Sequence, residues 1–344
     1  MEFITPVMKP SIIYIGNKVS NSQTNPTTHN KLVENLTAEE FKVFSASSKT
    51  NKIIRLLEMI WVFLKNRSQS SYVLIDVYST QNFWYAVILS KLSILFDIKY
   101  IPILHGGDLI SRFNRSKKAS TSLLAKAFVI VSPSKYLKEE VSGLAFNNVV
   151  YIPNSLDLKS YKFKLRKELR PKLLWVRAFD EIYNPMMAIK AFQLILERFP
   201  NAHLCMVGPD KDGTLEICKK YALSNNLNIT FKGKLKKEKW IQLSDDFSIF
   251  LNTSFIDNIP VSVLEAMALG LPVISTNVGG ISYIIEGGKS GVLVNAGDEV
   301  AMSKAICYLL ENQELVEKIC LDARLNLENY SWESAKNEWF KILN

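Results

Sequence analysis

The chain has 344 residues, a formal net charge of +9 and a hydrophobic content of 48%. This length and content allow two domains with buried cores and exclude a disordered or fibrous protein. The positive charge indicates an anionic partner, but the basic residues are scattered and no zinc-finger or RNA-binding motif accompanies them, so nucleic acid is not expected as a partner.

The cysteines and the N-terminus together predict a cytoplasmic protein. The four cysteines form no C-x-x-C pair and are typical of reduced thiols inside a cell. The first apolar run, residues 12–15, is only as long as a strand and ends at Gly16, so no signal peptide is predicted.

Short apolar runs alternate with helical patterns along the whole chain, which is typical of parallel sheets with crossover helices. In the first half, strands are expected at residues 12–15, 42–45, 73–75, 99–104, 128–131 and 149–152. In the second half, they are expected at residues 173–176, 203–207, 229–231, 249–252, 273–275 and 292–294.

These elements predict an α/β protein of two doubly wound, Rossmann-like domains, covering residues 1–155 and 156–330. The boundary is placed near Pro153-Asn-Ser155, which precedes a charged connector. Open parallel sheets bind ligands beyond the carboxyl ends of their strands, so two such domains facing each other are expected to form one cleft.

Two apolar segments, residues 53–64 and 83–96, are too short to span a bilayer, which needs about 20 apolar residues. The favoured interpretation is a pair of helices buried against a sheet. The alternative is an interfacial helix, because the first segment ends in Trp61-Val-Phe-Leu-Lys-Asn-Arg67 and so combines aromatic and basic residues. That alternative implies peripheral contact with an anionic membrane.

The most informative stretch begins at Asp257 and contains a second carboxylate, Glu265, eight positions later. A helix is predicted to start between them, with Pro260 as its first residue and Gly270 at its end. The free N–H groups and positive dipole of a helix start form an anion site, and helical side chains lean toward it. A diphosphate with an attached ribose fits this arrangement.

The predicted contacts divide between the two acids. Glu265 is expected to accept from the ribose hydroxyls, and Asp257 from hydroxyls of a transferred sugar. The residues expected to line the helix start are Asn258, Ile259, Pro260, Val261 and Ser262. Spacing alone also fits a surface helix with a charged second turn and an aspartate cap.

This stretch resembles the Glu-x7-Glu signature of retaining family-4 glycosyltransferases, which have the GT-B fold. The resemblance extends through Gly280 and over most of the chain, in the strings Val-Ser-Pro-Ser-Lys135, Ile-Pro-Asn154, Trp-Val-Arg177, Met-Val-Gly208 and Leu-Asn-Thr-Ser254. It implies a donor nucleotide on the C-terminal domain, an acceptor on the N-terminal domain, and a final helix, within residues 331–344, that packs back on the first domain.

The resemblance also assigns roles to single residues. It implies that Arg177 clamps the donor diphosphate and that His105 contacts the donor sugar near the reacting carbon. It implies that Gly16 allows close approach of backbone to phosphate. Two departures stand out: Asp257 replaces the first glutamate, and the lysine expected about six residues after Arg177 falls at Tyr183 or Asn184. We hypothesise that Lys18 supplies the missing cation from the first domain.

The resemblance therefore predicts a retaining, metal-independent, hexosyltransferase-type enzyme that uses a nucleoside-diphosphate-sugar and no cofactor. Its acceptor would be a glycan or lipid-linked glycan in surface polysaccharide or glycolipid assembly, at the inner face of the cytoplasmic membrane.

Two other functions stay open on the sequence. One is a GT-B-shaped binding or scaffold protein without turnover, suggested by the two departures. The other is a metal-dependent transferase that uses Asp210 and Asp212, although a turn explains that pair better. No Gly-x-Gly-x-x-Gly follows a predicted strand and no Gly-x-Ser-x-Gly occurs, so a nicotinamide dehydrogenase and a serine hydrolase are not expected.

Overall fold

The computed structural model describes residues 9–18, 27–166 and 168–344. The chain divides into two compact units. The first unit is formed by the described residues of Met1–Leu156 together with Tyr330–Asn344, and the second unit is Asp157–Asn329. The sequence-based divisions after residues 155 and 330 fall one residue away from these.

The first unit contains a six-stranded parallel sheet with the strand order β2-β1-β3-β4-β5-β6. Its strands are β1 (Ser11–Ile15), β2 (Lys42–Ala46), β3 (Tyr72–Val77), β4 (Lys99–Leu104), β5 (Ile130–Ser132) and β6 (Val149–Tyr151). Its helices are α1 (Thr28–Ala38), α2 (Lys52–Asn66), α3 (Asn82–Leu95), α4 (Leu109–Arg115), α5 (Lys117–Leu124), α6 (Lys135–Gly143) and the final α13 (Trp332–Leu343).

Both faces of this sheet are covered, which is why its strands are apolar runs and do not alternate. One face packs against α2 to α6, with Phe63 and Phe83 fully buried. The other face receives α13, whose Trp339 and Leu343 join the core formed around Ile12. The final helix thus lies on the first unit, where the family resemblance places it.

Helix α2 is buried on one side only. Met59, Phe63 and Asn66 face the core, whereas Leu57 and Trp61 are about 60% exposed. The predicted packing against the sheet therefore holds for one side of α2 only, because its apolar residues occupy two opposite faces and the sheet covers one of them. Helix α3 buries more of its surface, including Phe83, Val87 and Leu89.

The second unit has its own six-stranded parallel sheet, with the order β12-β11-β10-β7-β8-β9. Its strands are β7 (Lys172–Val176), β8 (His203–Val207), β9 (Ile229–Gly233), β10 (Ile249–Asn252), β11 (Val273–Thr276) and β12 (Val292–Val294). Its helices are α7 (Pro185–Ile195), α8 (Thr214–Ser224), α9 (Lys237–Ser244), α10 (Val261–Ala268), α11 (Glu299–Glu311) and α12 (Gln313–Asn326).

The predicted fold class is confirmed. All twelve predicted strands are present, and no boundary differs by more than two residues: β5 begins two residues later than predicted, at Ile130, and β3 and β9 each end two residues later. Phe128 lies outside that strand; it is 40% exposed, and Nζ of Lys99 lies 4.5 Å from its ring centroid. Among the residues that the structure describes, no helix is long and apolar enough to cross a membrane.

Two arginines bind the carboxyl end of α10, a helix in the middle of the second unit. The guanidinium of Arg166 is buried and donates to the carbonyls of Leu269 and Gly270 at 3.0 and 2.9 Å. Arg324 donates to the carbonyl of Ala268 at 2.9 Å. The last carbonyls of the helix are therefore neutralised by cations, and burial lowers the pKa of Arg166 from its usual value.

Candidate functional site

The start of α10 is the centre of the candidate site in the second unit. The helix begins at Val261, and Pro260 precedes it as the N-cap residue with ψ of 109°, so the prediction that Pro260 is the first helical residue is wrong by one position. Its extended ψ excludes it from the helix. No side chain caps this end, which leaves the first backbone N–H groups of α10 available to a ligand.

Asp257 does not cap the helix, so the alternative interpretation of a surface helix with an aspartate cap is wrong on this point. Its Oδ2 lies 2.5 Å from Nη2 of Arg177 and 3.2 Å from the hydroxyl of Ser254. Arg177 directly follows β7, and Asp257 lies five residues after β10, the neighbouring strand. The carboxyl ends of two adjacent parallel strands thus bring the predicted phosphate-binding arginine and the predicted sugar-binding acid together.

Tyr183 occupies one of the two positions at which the family resemblance expects a lysine. Its ring packs against Arg177, whose guanidinium carbon lies 4.3 Å from the ring centroid. The tyrosine therefore holds the arginine by a cation–π contact. Burial raises the pKa of Tyr183, as do Asp257 and Asp180, while Arg177 opposes the shift.

Glu265, in the second turn of α10, is 6% exposed and has two partners. The hydroxyl of Tyr161 donates to its Oε1 at 2.7 Å, and Nζ of Lys237 lies 2.9 Å from the same oxygen. Lys237 also lies over the ring of Tyr161, 4.6 Å from the centroid. Burial and the nearby carboxylate raise the pKa of Tyr161, so the phenol stays protonated and donates to Glu265.

Two polar atoms beside the helix start are buried without a hydrogen-bond partner. They are Oδ1 of Asn258 and the hydroxyl of Ser262, in residues that are 7% and 8% exposed. Buried polar groups normally have partners, so such atoms indicate a place for a ligand or water. Ile259 between them is half-buried, and the side chain of Val261 is 44% exposed.

Gly280 packs against the backbone of the loop that contains Asp257 and Asn258. A Cβ at this position would lie 2.1 Å from the carbonyl oxygen of Asn258, a distance that no real structure tolerates. The N–H of Gly280 donates to the carbonyl of Asp257 at 3.2 Å. The Gly-Gly pair that follows β11 is thus needed for the close approach of two loops at the site.

The first unit contains a separate cluster at the carboxyl ends of β1, β3 and β4. At its centre is Asp76, which is 4% exposed and lies within β3. Its Oδ1 accepts from the hydroxyl of Tyr14 and lies 2.9 Å from Nε2 of His105. Its Oδ2 lies 3.3 Å from Nδ1 of His29.

The carboxylate in this cluster is ionised. Burial alone would raise the pKa of Asp76, but His105 and His29 outweigh burial and hold that pKa well below its usual range. Since Asp76 binds His105 through Nε2, the imidazole presents Nδ1 to any ligand. Tyr78 stacks on the same ring with centroids 5.0 Å apart, which fixes its orientation.

Gly16 and Lys18 follow β1 and border this cluster. A Cβ on Gly16 would lie 2.0 Å from Oδ2 of Asp76 and 2.4 Å from Nδ1 of His29. The glycine is therefore required by the carboxylate and the histidine that pack against it, in addition to any role toward phosphate. Nζ of Lys18 donates to the hydroxyl of Ser45 at 2.9 Å.

Asp210 and Asp212 form a turn in the second unit. Asp210 accepts from the N–H of Gly213, and Asp212 accepts from the N–H groups of Glu181 and Thr214. In the described ranges, which omit residues 1–8, 19–26 and 167, no three or more His, Cys, Asp or Glu side chains are grouped so that they could hold a metal. Metal independence stays a prediction.

Sequence reasoning missed Asp76, His29, Tyr161 and Lys237. Asp76 had a usable signal, since it is an acid in an otherwise apolar strand. Lys237 lies in the basic run that follows β9, but nothing local distinguishes it from its neighbours. Tyr161 is 104 residues from Glu265, so only the folded unit reveals their contact.

The match to known families agrees with this geometry. Residues 158–325 match the model of the family described as glycosyl transferases group 1. Over these residues the chain is therefore similar to group 1 glycosyltransferases. The match covers nearly the whole second unit, including Arg177, Asp257 and Glu265, and the first unit lies outside it.

Individual relatives are distant. The chain is 24% identical to the amylovoran biosynthesis glycosyltransferase AmsK of Erwinia amylovora over 249 residues, which are 67% of this chain and 60% of that protein. The matches cover between 29% and 62% of the length of three other curated relatives. The chain thus spans less than two thirds of these proteins.

Solved structures with the same fold cover almost the whole chain. The sucrose-phosphate synthase of Thermosynechococcus elongatus has a TM-score of 0.78 at 16% identity and covers 97% of this chain and 98% of its own. Anabaena Alr3699/HepE, crystallised with UDP and glucose, has a TM-score of 0.74 at 13% identity. The match covers 97% of this chain and 99% of HepE. The fold is therefore GT-B, with two Rossmann-like domains.

Proposed function

We propose that this group 1 glycosyltransferase moves a sugar from a nucleoside-diphosphate-sugar to a hydroxyl acceptor. The observation on which the proposal depends is the pairing of Arg177 with Asp257 and of Lys237 with Glu265 around the uncapped start of α10. Two cations, free helical N–H groups and two acids within one unit match a ligand that carries both phosphates and hydroxyls.

In this proposal the Arg177–Asp257 ion pair is the arrangement before the donor binds. An incoming diphosphate takes over the guanidinium, which forks onto phosphate oxygens. Asp257 is then released to accept from hydroxyls of the donor sugar, with Ser254 as its remaining neighbour. Glu265 accepts from the ribose hydroxyls while Tyr161 and Lys237 hold its other contacts.

The chemical step breaks the bond between the anomeric carbon and the diphosphate oxygen and forms a bond to the acceptor oxygen on the same face. The departing diphosphate takes the acceptor proton. Because the new bond forms on the face from which the diphosphate leaves, the configuration is retained. Arg177 and the start of α10 stabilise the negative charge that develops on the leaving group. No metal is required in this scheme, since the arginine and the helix dipole provide the positive charge.

His105 is proposed to orient the donor sugar through Nδ1, with Gly16 close to the phosphates. Lys18 is proposed to add a cation to the diphosphate. Replacing Lys18 by Ala should lower turnover, and a Lys18→Ala variant with unchanged kinetics would show that Lys18 is not needed. Lys42→Ala, which removes an exposed lysine paired with Gln69, is the matched control.

The acceptor is proposed to be a glycan or a lipid-linked glycan in polysaccharide or glycolipid assembly. The relative AmsK is an amylovoran biosynthesis glycosyltransferase, which supports this class of acceptor. HepE was crystallised with UDP and glucose, which supports a uridine nucleotide as the first donor to test.

The first experiment is a thermal-shift screen of the full chain against nucleoside diphosphates and sugar nucleotides. The second measures the nucleoside diphosphate released from the donors that bind, in the presence of candidate acceptors. A ligand that binds only the folded state must raise the unfolding temperature. The anomeric configuration of the product, read by NMR, tests retention. Binding without turnover over a broad acceptor panel would favour the scaffold alternative.

Glu265→Gln tests the assignment of the ribose site. Loss of a charged hydrogen-bond acceptor should raise the donor KM by roughly 10- to 100-fold. The matched control is Glu286→Gln, because Glu286 is also paired with a lysine but is exposed. Equal donor KM values in the two variants would contradict the assignment.

A chelator separates the metal-free scheme from the metal-dependent alternative. Activity should be the same in EDTA, and Asp210→Asn with Asp212→Asn should leave the donor KM unchanged. Loss of turnover in EDTA that is restored by a divalent cation would refute metal independence.

A further inference from the structure

The outward side of α2 exposes five large apolar side chains. They are Ile53, Ile54, Leu57, Trp61 and Leu64, and they are between 37% and 72% exposed. A helix turns by about 100° per residue, which places all five within one arc of about 100°, opposite the buried Met59 and Phe63. We call these five residues the α2 apolar face.

The end of α3 exposes two further apolar side chains. Leu95 and Phe96, at the end of α3, are 73% and 39% exposed. Phe96 contacts Phe63 of α2, with ring centroids 6.0 Å apart. An exposed apolar surface of this size is unusual on a protein that faces only water, and it indicates an interaction site.

Basic side chains border the α2 apolar face. Nζ of Lys65 lies 4.7 Å from the ring centroid of Trp61, and the guanidinium carbon of Arg67 lies 4.8 Å from that of Phe96. Both cations are exposed, as is Lys52 at the other end of the helix.

The acidic residues nearby do not balance these cations. Within α2 the acid is Glu58, whose carboxylate is hydrogen-bonded to the hydroxyl of Ser47. Asp97 is exposed after the end of α3. The border of the face is thus predominantly cationic.

We infer that the α2 apolar face binds the surface of an anionic lipid bilayer. Apolar and aromatic side chains would enter the boundary between head groups and acyl chains, and Lys52, Lys65 and Arg67 would contact anionic head groups. A second copy of the chain fits less well, because a two-fold contact through this face would bring the same cations of both copies together.

This inference goes beyond sugar transfer, because it concerns where the first unit binds and not what the second unit catalyses. It can therefore fail while the proposed function holds. Binding is measured with the full chain and without any donor or acceptor, so that the two outcomes are independent.

The experiment is flotation of the purified protein with vesicles of phosphatidylcholine, with and without phosphatidylglycerol. The wild-type chain should float with the anionic vesicles, and salt should weaken this binding because the head-group contacts are screened. The variant Leu57→Asp/Trp61→Asp should reduce the bound-to-free ratio at least about tenfold, since charged side chains would replace two large apolar side chains that enter the bilayer.

The matched control is Leu223→Asp, which changes an 80% exposed leucine on α8 of the second unit. It should float like the wild type, and circular dichroism should show that all variants are folded. A charge variant, Lys65→Glu/Arg67→Glu, should lose the preference for phosphatidylglycerol.

Two results would overturn the inference. One is a wild-type chain that stays unbound to anionic vesicles, or a Leu57→Asp/Trp61→Asp variant that floats as the wild type does. The other is sedimentation analysis in which the wild type is a dimer in the absence of lipid and Trp61→Asp makes it a monomer, because the face would then bind a second copy.

Discussion

Asp76 in the first unit and Asp257 in the second are both buried carboxylates next to the ends of parallel strands, but their partners differ. Asp76 is surrounded by Tyr14 of β1, His105 directly after β4 and His29 of α1, all within the first unit. Asp257 is paired with the guanidinium of Arg177.

The two carboxylates differ in how readily a ligand could displace their partners. The groups around Asp76 are packed into the core and stack on tyrosine rings, so they form a fixed support for His105. Buried atoms without a hydrogen-bond partner lie near both carboxylates, at Nε2 of His29 and at Oδ1 of Asn258. The Arg177–Asp257 pair differs in lying beside the uncapped start of α10, so we expect its two members to exchange partners when an anion binds there.

The largest effect is expected from Arg177→Gln, which removes the exchangeable cation. Loss of one electrostatic donor to a developing charge typically lowers kcat by about 10² to 10³. Steady-state kinetics with a cognate donor would measure this change. Arg198→Gln is the control, because Arg198 is an exposed arginine paired with Glu311 in the same unit. Similar rates for the two variants would mean that Arg177 does not act on the leaving group.

Gly16→Ala should damage the fixed cluster directly. The new methyl group would overlap Oδ2 of Asp76 and Nδ1 of His29, and overpacking of this kind costs about 1–3 kcal/mol. Denaturant unfolding measures the loss. Gly143→Ala is the control, since nothing lies within 4 Å of a Cβ at that position. If both variants were equally stable, the packing around Asp76 would be looser than described.

Asp76→Asn should show whether Asp76 acts by supporting His105 or by binding a ligand itself. Without the carboxylate, His105 loses its anchor, and misplacement of a contacting group by about 1 Å can lower turnover by up to about 10²-fold. We expect a fall in kcat with a smaller change in donor KM, because the proposed function places the donor nucleotide on the second unit. Asp108→Asn, which changes an exposed acid paired with Arg115, is the control. A change confined to KM would instead make Asp76 part of the binding surface.

The smallest effect is the pH dependence of stability. The pKa of Asp76 is lower in the folded chain than in the unfolded one, so its contribution is present above the unfolded pKa of about 4 and is lost as pH falls below it. The difference in unfolding free energy between wild type and Asp76→Asn should therefore shrink between neutral pH and pH 3. A difference that is constant with pH would show that the carboxylate is not preferentially ionised in the folded state.

The fold could be predicted almost completely because strand and crossover-helix patterns are local. The candidate site divides differently. Arg177 directly follows a strand, and Asp257 and Glu265 lie on either side of a helix start, so the place of each relative to its element could be predicted. Tyr161 and Lys237 do not, since their contact with Glu265 depends on packing between segments that are distant in sequence. The outward face of α2 was also misjudged, because periodicity shows that a helix is apolar but not which face the sheet covers.

Helix α10 has guanidinium groups at one end and no cap at the other. Cations therefore compensate the dipole at the carboxyl end, while no side chain caps the N–H groups at Val261, where the positive end of the dipole favours an anion. We expect sulfate or inorganic phosphate in a purification buffer to bind there and to compete with the proposed donor. Apparent donor affinities of this protein should consequently depend on the buffer anion, and chloride or acetate buffers are the appropriate reference condition.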